Sequence, residues 1–245
     1  MSIRERYYKE GYYKGLASEP RFQRVLKLAC QIKGERFLDI GCGDGSFTLL
    51  LKNAIEAKEV FGLEIAPEAV ALAQEKGIKA FRVDIDEAGL PFEDCYFDVI
   101  YCGEIIEHLF DADHLLDEAY RVLKPEAICI LTTPNLAGWP NRIALLLGFQ
   151  PFPMAVSRKC EGVGKLLIRG NEGQWGHINV FTLKALKELV KLHSFRIEKI
   201  TGCPVTLNTQ TKLSLLIRAT DQLTAKFPSL STRIIMVIGK QEGKK

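Results

Sequence analysis

The stretch Leu38-Asp39-Ile40-Gly41-Cys42-Gly43-Asp44-Gly45-Ser46-Phe47 decides the fold. An apolar run over residues 36–41 ends in three glycines at alternate positions, and a helical pattern over 47–53 follows at once. A strand that turns so tightly into a helix is the opening unit of a doubly wound α/β sheet. Glycines there adopt positive φ and let the backbone approach a ligand, and the helix start aims unpaired amides and its positive dipole end at the same point. The spacing also narrows the ligand. GxGxG, with the acid Asp39 two places before it, departs from the GxGxxG of dinucleotide sites. A carboxylate at that place opposes a pyrophosphate and suits an ammonium group.

Downstream the rhythm repeats. Residues 59–64 and 78–83 read as the second and third strands, joined by a helix from Pro67 to about Lys76 that Gly77 stops. Residues 97–102 and 127–133 read as strands four and five, with a helix over 113–123 between them and Pro125 after its end. Upstream, apolar positions Phe22, Val25, Leu26, Leu28 and Ala29 mark a cap helix, preceded by the tyrosine pairs Tyr7-Tyr8 and Tyr12-Tyr13. Residues 136–176 break the alternation with Gly, Pro and aromatics around one short helix over 142–147, the composition of a lid. Thr182 then caps a helix over 183–193, and strands over 195–200 and 233–238 flank a helix near 212–223. The expectation is one domain over 1–245: a cap (1–34), a cofactor-binding half (35–135), a lid (136–176) and C-terminal helices and strands (177–245).

Composition sets the outer bounds. A chain of 245 residues, 47% hydrophobic and 26% charged, suits one folded domain rather than a disordered chain. A net charge of +3 is too small to imply a nucleic-acid partner. Seven cysteines without a CxxC pair favour reduced thiols and a cytoplasmic protein. The N-terminus lacks the apolar core of a secretory signal, and no stretch is long and apolar enough for a membrane span.

The acids at the strand ends complete the ligand site. Glu64 closes strand two about twenty residues past the glycine turn, where a carboxylate accepts from both hydroxyls of a ribose. Asp84 closes strand three within reach of an adenine amino group, and Ile65 and Ile85 floor the pocket so described.

As a set, Leu38–Gly45, Glu64, Asp84 and Cys102-Gly103-Glu104 resemble the motifs of class I S-adenosylmethionine-dependent methyltransferases, over about residues 35–200. The resemblance implies a Rossmann-like seven-stranded sheet whose last strand is antiparallel to the rest. It implies S-adenosylmethionine as cofactor, with Asp39, Gly41 and Gly43 holding its methionine part, Glu64 the ribose hydroxyls and Asp84 the adenine edge, and with Cys42, Gly45, Ile65, Ile85 and Cys102 as further cofactor-binding candidates.

Transfer to a hydroxyl would benefit from a base, and Glu104-Ile105-Ile106-Glu107-His108 supplies the candidates. A helix there would put Glu104, Glu107 and His108 on one face, with His108 titrating nearest neutrality. Quinone-biosynthesis O-methyltransferases and small-RNA 2′-O-methyltransferases have a similar ExxEH segment able to bind a divalent metal, with His177 as the candidate fourth ligand. No metal is assigned on the sequence. Residues 141–170 carry Arg142, Arg158, Lys159, Lys165 and Arg169 against one acid, Glu161, interleaved with Leu145, Leu146, Leu147, Phe149, Phe152 and Met154, which suits an amphiphilic or anionic acceptor. The leading expectation is O-methylation of such a small molecule. RNA methylation with a metal at ExxEH, a nicotinamide-dependent oxidoreductase and a non-catalytic cofactor-binding protein are the alternatives.

Overall fold

The computed structural model describes residues 19–157, 159–166, 176–204 and 212–240. The tyrosines at 7, 8, 12 and 13, and the lid residues Arg158 and Arg169, lie outside them.

Seven strands form one sheet in the order β3-β2-β1-β4-β5-β7-β6. In chain order the elements are α1 (Pro20–Ala29), β1 (Arg36–Ile40), α2 (Ser46–Ile55), β2 (Glu59–Glu64), α3 (Pro67–Glu75), β3 (Lys79–Arg82), β4 (Phe97–Gly103), α4 (Ala112–Val122), β5 (Leu123–Pro134), α5 (Trp139–Leu146), α6 (Leu183–Leu192), β6 (Phe195–Cys203), α7 (Lys212–Thr224) and β7 (Arg233–Lys240). β1 through β5 pair in parallel, and β7 runs antiparallel between β5 and β6. The last strand is thus the antiparallel one, as the family resemblance implies. The chain winds outward from β1 to β3, returns, and winds the other way from β4. The strand order reverses between β1 and β4, and the crevice where a doubly wound sheet places its ligand is expected at their carboxyl ends.

Both faces of the sheet are covered, which is why its strands read as nearly continuous apolar runs. Leu38, Ile40, Leu63, Ile100 and Cys102 belong to one core and Phe37, Val60, Val99 and Tyr101 to the other. Alternation along β1 therefore puts Asp39 on the same face as Phe37, beneath α2.

Several boundaries correct the sequence expectations. β5 begins at Leu123, directly after α4, and carries Pro125 within it; the pairing with β4 is irregular between Phe97 and Val99, where the proline is accommodated. β3 is two residues shorter than expected, whereas β6 and β7 extend further. α5 starts at Trp139 because Pro140 fits a first turn. Thr182 caps α6 as expected, its hydroxyl oxygen accepting from Ala185 N at 3.1 Å.

The segment after β4 is the largest correction. Glu104 has φ 54°, a left-handed conformation, and Ile106–His108 is a single 3₁₀ turn. The chain twists before the turn begins, so Glu104, Glu107 and His108 do not share a helix face.

Candidate functional site

The glycine turn is drawn against β2 and held from below. Gly41 N and Cys42 N both donate to Leu63 O, at 2.8 and 3.0 Å. The Cys42 thiol packs where a Cβ on Gly62 would stand, so the absence of a side chain at 62 lets the turn sit this low. Gly45, at φ 77°, is packed against Ile78 and Ala73, which excludes any larger residue. From α3, Lys76 Nζ donates to Asp44 O (2.7 Å), Asp44 Oδ2 (2.6 Å) and Ser46 Oγ (2.8 Å). These partners fix both ends of the turn, and no motif in the sequence marks Lys76 or Gly62 for that work.

Two acids stand beside the turn in opposite conditions. Glu64 is buried and held by amides: Oε1 accepts from Ile65 N (2.8 Å) and Ala66 N (3.0 Å), Oε2 from Gly43 N (3.2 Å). Asp39 is also buried, with Oδ2 accepting from the Thr48 hydroxyl at 2.6 Å. Its Oδ1 has no hydrogen-bond partner among the described residues. Burial pushes the Asp39 carboxyl up to about 7, against the Thr48 hydrogen bond and aided by the charge of Glu64. An orphaned carboxylate oxygen under a glycine cradle fits a cationic group, and the ammonium of S-adenosylmethionine is such a group.

The remaining expected cofactor residues are spread along the crevice. Asp84 lies past the end of β3, partly exposed, and its Oδ1 accepts from Asp86 N at 3.2 Å. Ile65 is half-buried, while Ile85 joins the core beneath. The Cys102 side chain also turns into that core, its sulfur 4.0 Å from that of Cys129, so this residue can offer a ligand only backbone atoms.

Beyond β4 the acids are again split into one held by several donors and one not. Glu104 Oε2 lies 3.1 Å from Arg21 Nη1 of α1 and 3.1 Å from Arg233 Nε at the start of β7. Thr132 Oγ1 donates to its other oxygen at 3.2 Å. Burial alone would raise this carboxyl, but the guanidiniums of Arg233 and Arg21 hold it below the ordinary range. Glu104 is therefore a poor proton acceptor and a clasp between three elements. Arg21 and Arg233 carry no motif that a sequence reading could have used.

Glu107 is fully buried, and its Oε2 accepts from Thr133 Oγ1 at 3.0 Å, whereas Oε1 has no hydrogen-bond partner among the described residues. Burial, then the charge of Glu104, pushes its carboxyl well above the ordinary range. His177 Nε2 lies 4.0 Å from that orphaned oxygen. The far end of the lid is stitched on here: Ile178 N and Asn179 N donate to Glu107 O, at 2.7 and 3.1 Å, and Asn179 Nδ2 donates to Leu109 O at 2.7 Å.

The two imidazoles are oriented alike. His177 Nδ1 is 2.8 Å from Pro153 O and His108 Nδ1 is 3.3 Å from Gly176 O. A carbonyl only accepts, so in each ring it is Nδ1 that carries a proton toward the backbone. Burial, then the neighbouring His108, lowers His177 to about 4, which keeps it neutral. The ring centres are 4.8 Å apart, and Glu107, His108 and His177 bring ligand atoms within 4.8 Å of one another. The cluster is close to the glycine turn, since Ile105 packs against Gly41.

The lid itself corrects one expectation. Lys165 is not on an exposed basic face; it is buried against Glu161, 3.1 Å away. Arg142 and Lys159 are exposed.

Residues 38–131 match the model of a methyltransferase domain. Demethylmenaquinone methyltransferase of Bacillus cytotoxicus is 30% identical over 185 residues, covering 71% of this chain and 74% of the relative. The Thermus thermophilus protein of the same name is 33% identical over 107 residues, 42% of this chain and 49% of the relative. Among solved structures, a methyltransferase from Mesorhizobium loti superposes with a TM-score of 0.60 at 17% identity, covering 92% of this chain and all of that one. The [4+2]-cyclase SpnF superposes with a TM-score of 0.55 at 20% identity, covering 90% and 82%. The fold alone therefore does not name a reaction. Among the described residues, no helix is long and apolar enough to cross a membrane.

Proposed function

Because the chain belongs to the class I S-adenosylmethionine-dependent methyltransferases, we propose that it methylates a hydroxyl oxygen of a small amphiphilic or anionic molecule. The relatives' name, demethylmenaquinone methyltransferase, suggests a quinol-like ring as one acceptor to try first. S-adenosylmethionine supplies a methyl group already activated on sulfonium, so the protein needs only to align the acceptor and exclude water.

In this reading Asp39 and the backbone of Gly41 and Gly43 hold the methionine end, Glu64 the ribose and Asp84 the adenine edge. The observation that supports the oxygen acceptor is the meeting of His108, His177 and Glu107, where His108 would take the hydroxyl proton and His177, kept neutral by burial, would stand beside it as a hydrogen-bond partner. Glu104 acts by holding α1 and β7 in place.

A second reading is supported by the same cluster. A divalent cation such as magnesium or manganese would be held by Glu107, His108 and His177, and would favour the ionised acceptor hydroxyl. Glu104, paired with two guanidiniums, does not fit as a further ligand.

The test is methyl transfer from S-adenosylmethionine to a panel of acceptors, read by mass spectrometry: a quinol with a short isoprenoid tail, a catechol, an aliphatic acid and a short RNA. Each is run with manganese and with a chelator. Methylation of the quinol or catechol on oxygen supports the proposal, and loss with the chelator supports the metal reading. Methylation confined to RNA, falling steeply with salt, rejects the small-molecule reading.

A further inference from the structure

Between Glu126 and Glu161 the chain contains no aspartate or glutamate. Within that stretch α5 turns Asn141 and Ala144 inward, and its opposite side shows Ile143, Leu145 and Leu146 to solvent, continued by Leu147 and Phe149. Leu146 is 86% exposed, Leu147 58% and Leu145 56%. A surface helix ordinarily turns its polar side outward, so an outward run of leucines marks a contact surface.

The support beneath this face is well fixed. Asn141 Nδ2 donates to Asn135 O and its Oδ1 accepts from Phe152 N, both at 2.9 Å. Trp139 Nε1 donates to Asp221 Oδ1 of α7 at 3.0 Å. Among the described residues of the stretch the exposed charges are basic: Arg142 on α5, whose Nε donates to Ala137 O at 2.6 Å while the residue stays exposed, and Lys159 beyond it.

We propose that this face docks on a lipid surface bearing anionic headgroups. Charge separates this occupant from a second copy of the chain. A two-fold contact would appose the same basic patch with itself, and the stretch holds no acid to answer it. Anionic headgroups answer Arg142 and Lys159 while the acyl boundary takes the leucines. The inference rests on the reading of a small amphiphilic acceptor and deepens it: such an acceptor would be taken from the bilayer. Thr133, which donates to Glu107, lies only a few residues before α5, so one short stretch of chain joins the docking face to the acceptor site.

The experiment is flotation of the full-length protein with vesicles of phosphatidylcholine alone or mixed with phosphatidylglycerol. Leu146→Glu and Leu145→Ser/Leu147→Ser are run beside it, and S-adenosylhomocysteine binding and solution mass are measured on the same samples. The wild type is expected to float with the anionic vesicles and to remain behind with phosphatidylcholine. Leu146→Glu should weaken that binding about tenfold or more, as expected when a buried leucine becomes a charge, with S-adenosylhomocysteine binding unchanged. A wild type that floats with neither vesicle, or variants that float as it does, would overturn the proposal. So would a lipid-free dimer that Leu146→Glu turns into a monomer, which assigns the face to a second copy. Lost flotation with intact S-adenosylhomocysteine binding rejects docking alone, whereas a wild type that binds no S-adenosylhomocysteine rejects the cofactor site itself.

Discussion

The two sides of the crevice solve the same problem in different ways. Each carries one acid held by several donors and one buried acid that keeps an orphaned oxygen among the described residues: Glu64 and Asp39 around the glycine turn, Glu104 and Glu107 beyond β4. On the cofactor side the donors are amides of Gly43, Ile65 and Ala66, within or near the same two strand ends. On the acceptor side they are Arg21, Arg233 and Thr132, drawn from the two ends and the middle of the chain. Glu104 holds structure, whereas Glu64, with three amides on its two oxygens, keeps lone-pair capacity for a ribose hydroxyl. The orphaned oxygens are where a ligand gains most, because an unanswered buried oxygen has already lost its water.

The sharpest way to break this comparison is to remove the acceptor-side pair. Glu107→Gln and His177→Asn should each lower kcat about a hundredfold or more, the scale of a lost acid–base group. Calorimetry should find S-adenosylhomocysteine affinity within about twofold of wild type, since the cofactor groups lie on the other side. If cofactor affinity falls in step with turnover, the two sides are not separate.

Next is the clasp. Arg233→Ala should destabilise the fold by roughly 3 kcal/mol in urea unfolding, the cost of leaving a buried charge short of a partner. Adding Glu104→Leu should recover part of that loss. A double variant no better than the single would mean that Arg233 matters through packing rather than charge.

The cofactor side is probed through pH. Folded Asp39 keeps its proton up to about 7, whereas the unfolded residue loses it near 3.8. The native state therefore binds more protons between these values, and stability falls as pH rises through that window. Binding of an ammonium needs the ionised carboxylate, so S-adenosylhomocysteine should bind about tenfold more tightly at pH ~8 than at pH ~6. Asp39→Asn should flatten that dependence.

The smallest effect belongs to a control remote from both sides. His193, at the end of α6, bridges Asp113 (2.7 Å) and Asp117 (2.6 Å) of α4. Burial works against its charge, but the two carboxylates raise its pKa above the usual 6.5. Its stabilisation is therefore present below that value and lost as pH rises through the folded pKa. Because both aspartates are exposed, His193→Gln should cost less than about 1 kcal/mol at pH ~5.5 and nothing measurable at high pH.

These contrasts also explain what could be read in advance. The order of strands and helices, the glycine turn, Asp39 and Glu64 were legible because their determinants are local: period-two apolar runs, a proline at a first helical turn, glycines at fixed spacing. Lys76 and Gly62, which seat that turn, were not legible, since an ordinary lysine and a strand glycine acquire meaning only from what packs on them. The ExxEH segment was seen, but its helical face was not formed, because Glu104 takes a left-handed conformation before the 3₁₀ turn.

The sequence by itself determined the sheet and the position of the glycine turn, Asp39 and Glu64 at its strand ends, because hydrophobic periodicity and turn geometry act over a few residues. Tertiary structure alone decided which acids keep an open oxygen. Arg21 and Arg233 claim Glu104, while the fold brings His177 to Glu107 across 70 residues of chain. Electrostatic pairing in a buried site depends on distance in space, and no spacing along the chain encodes that distance.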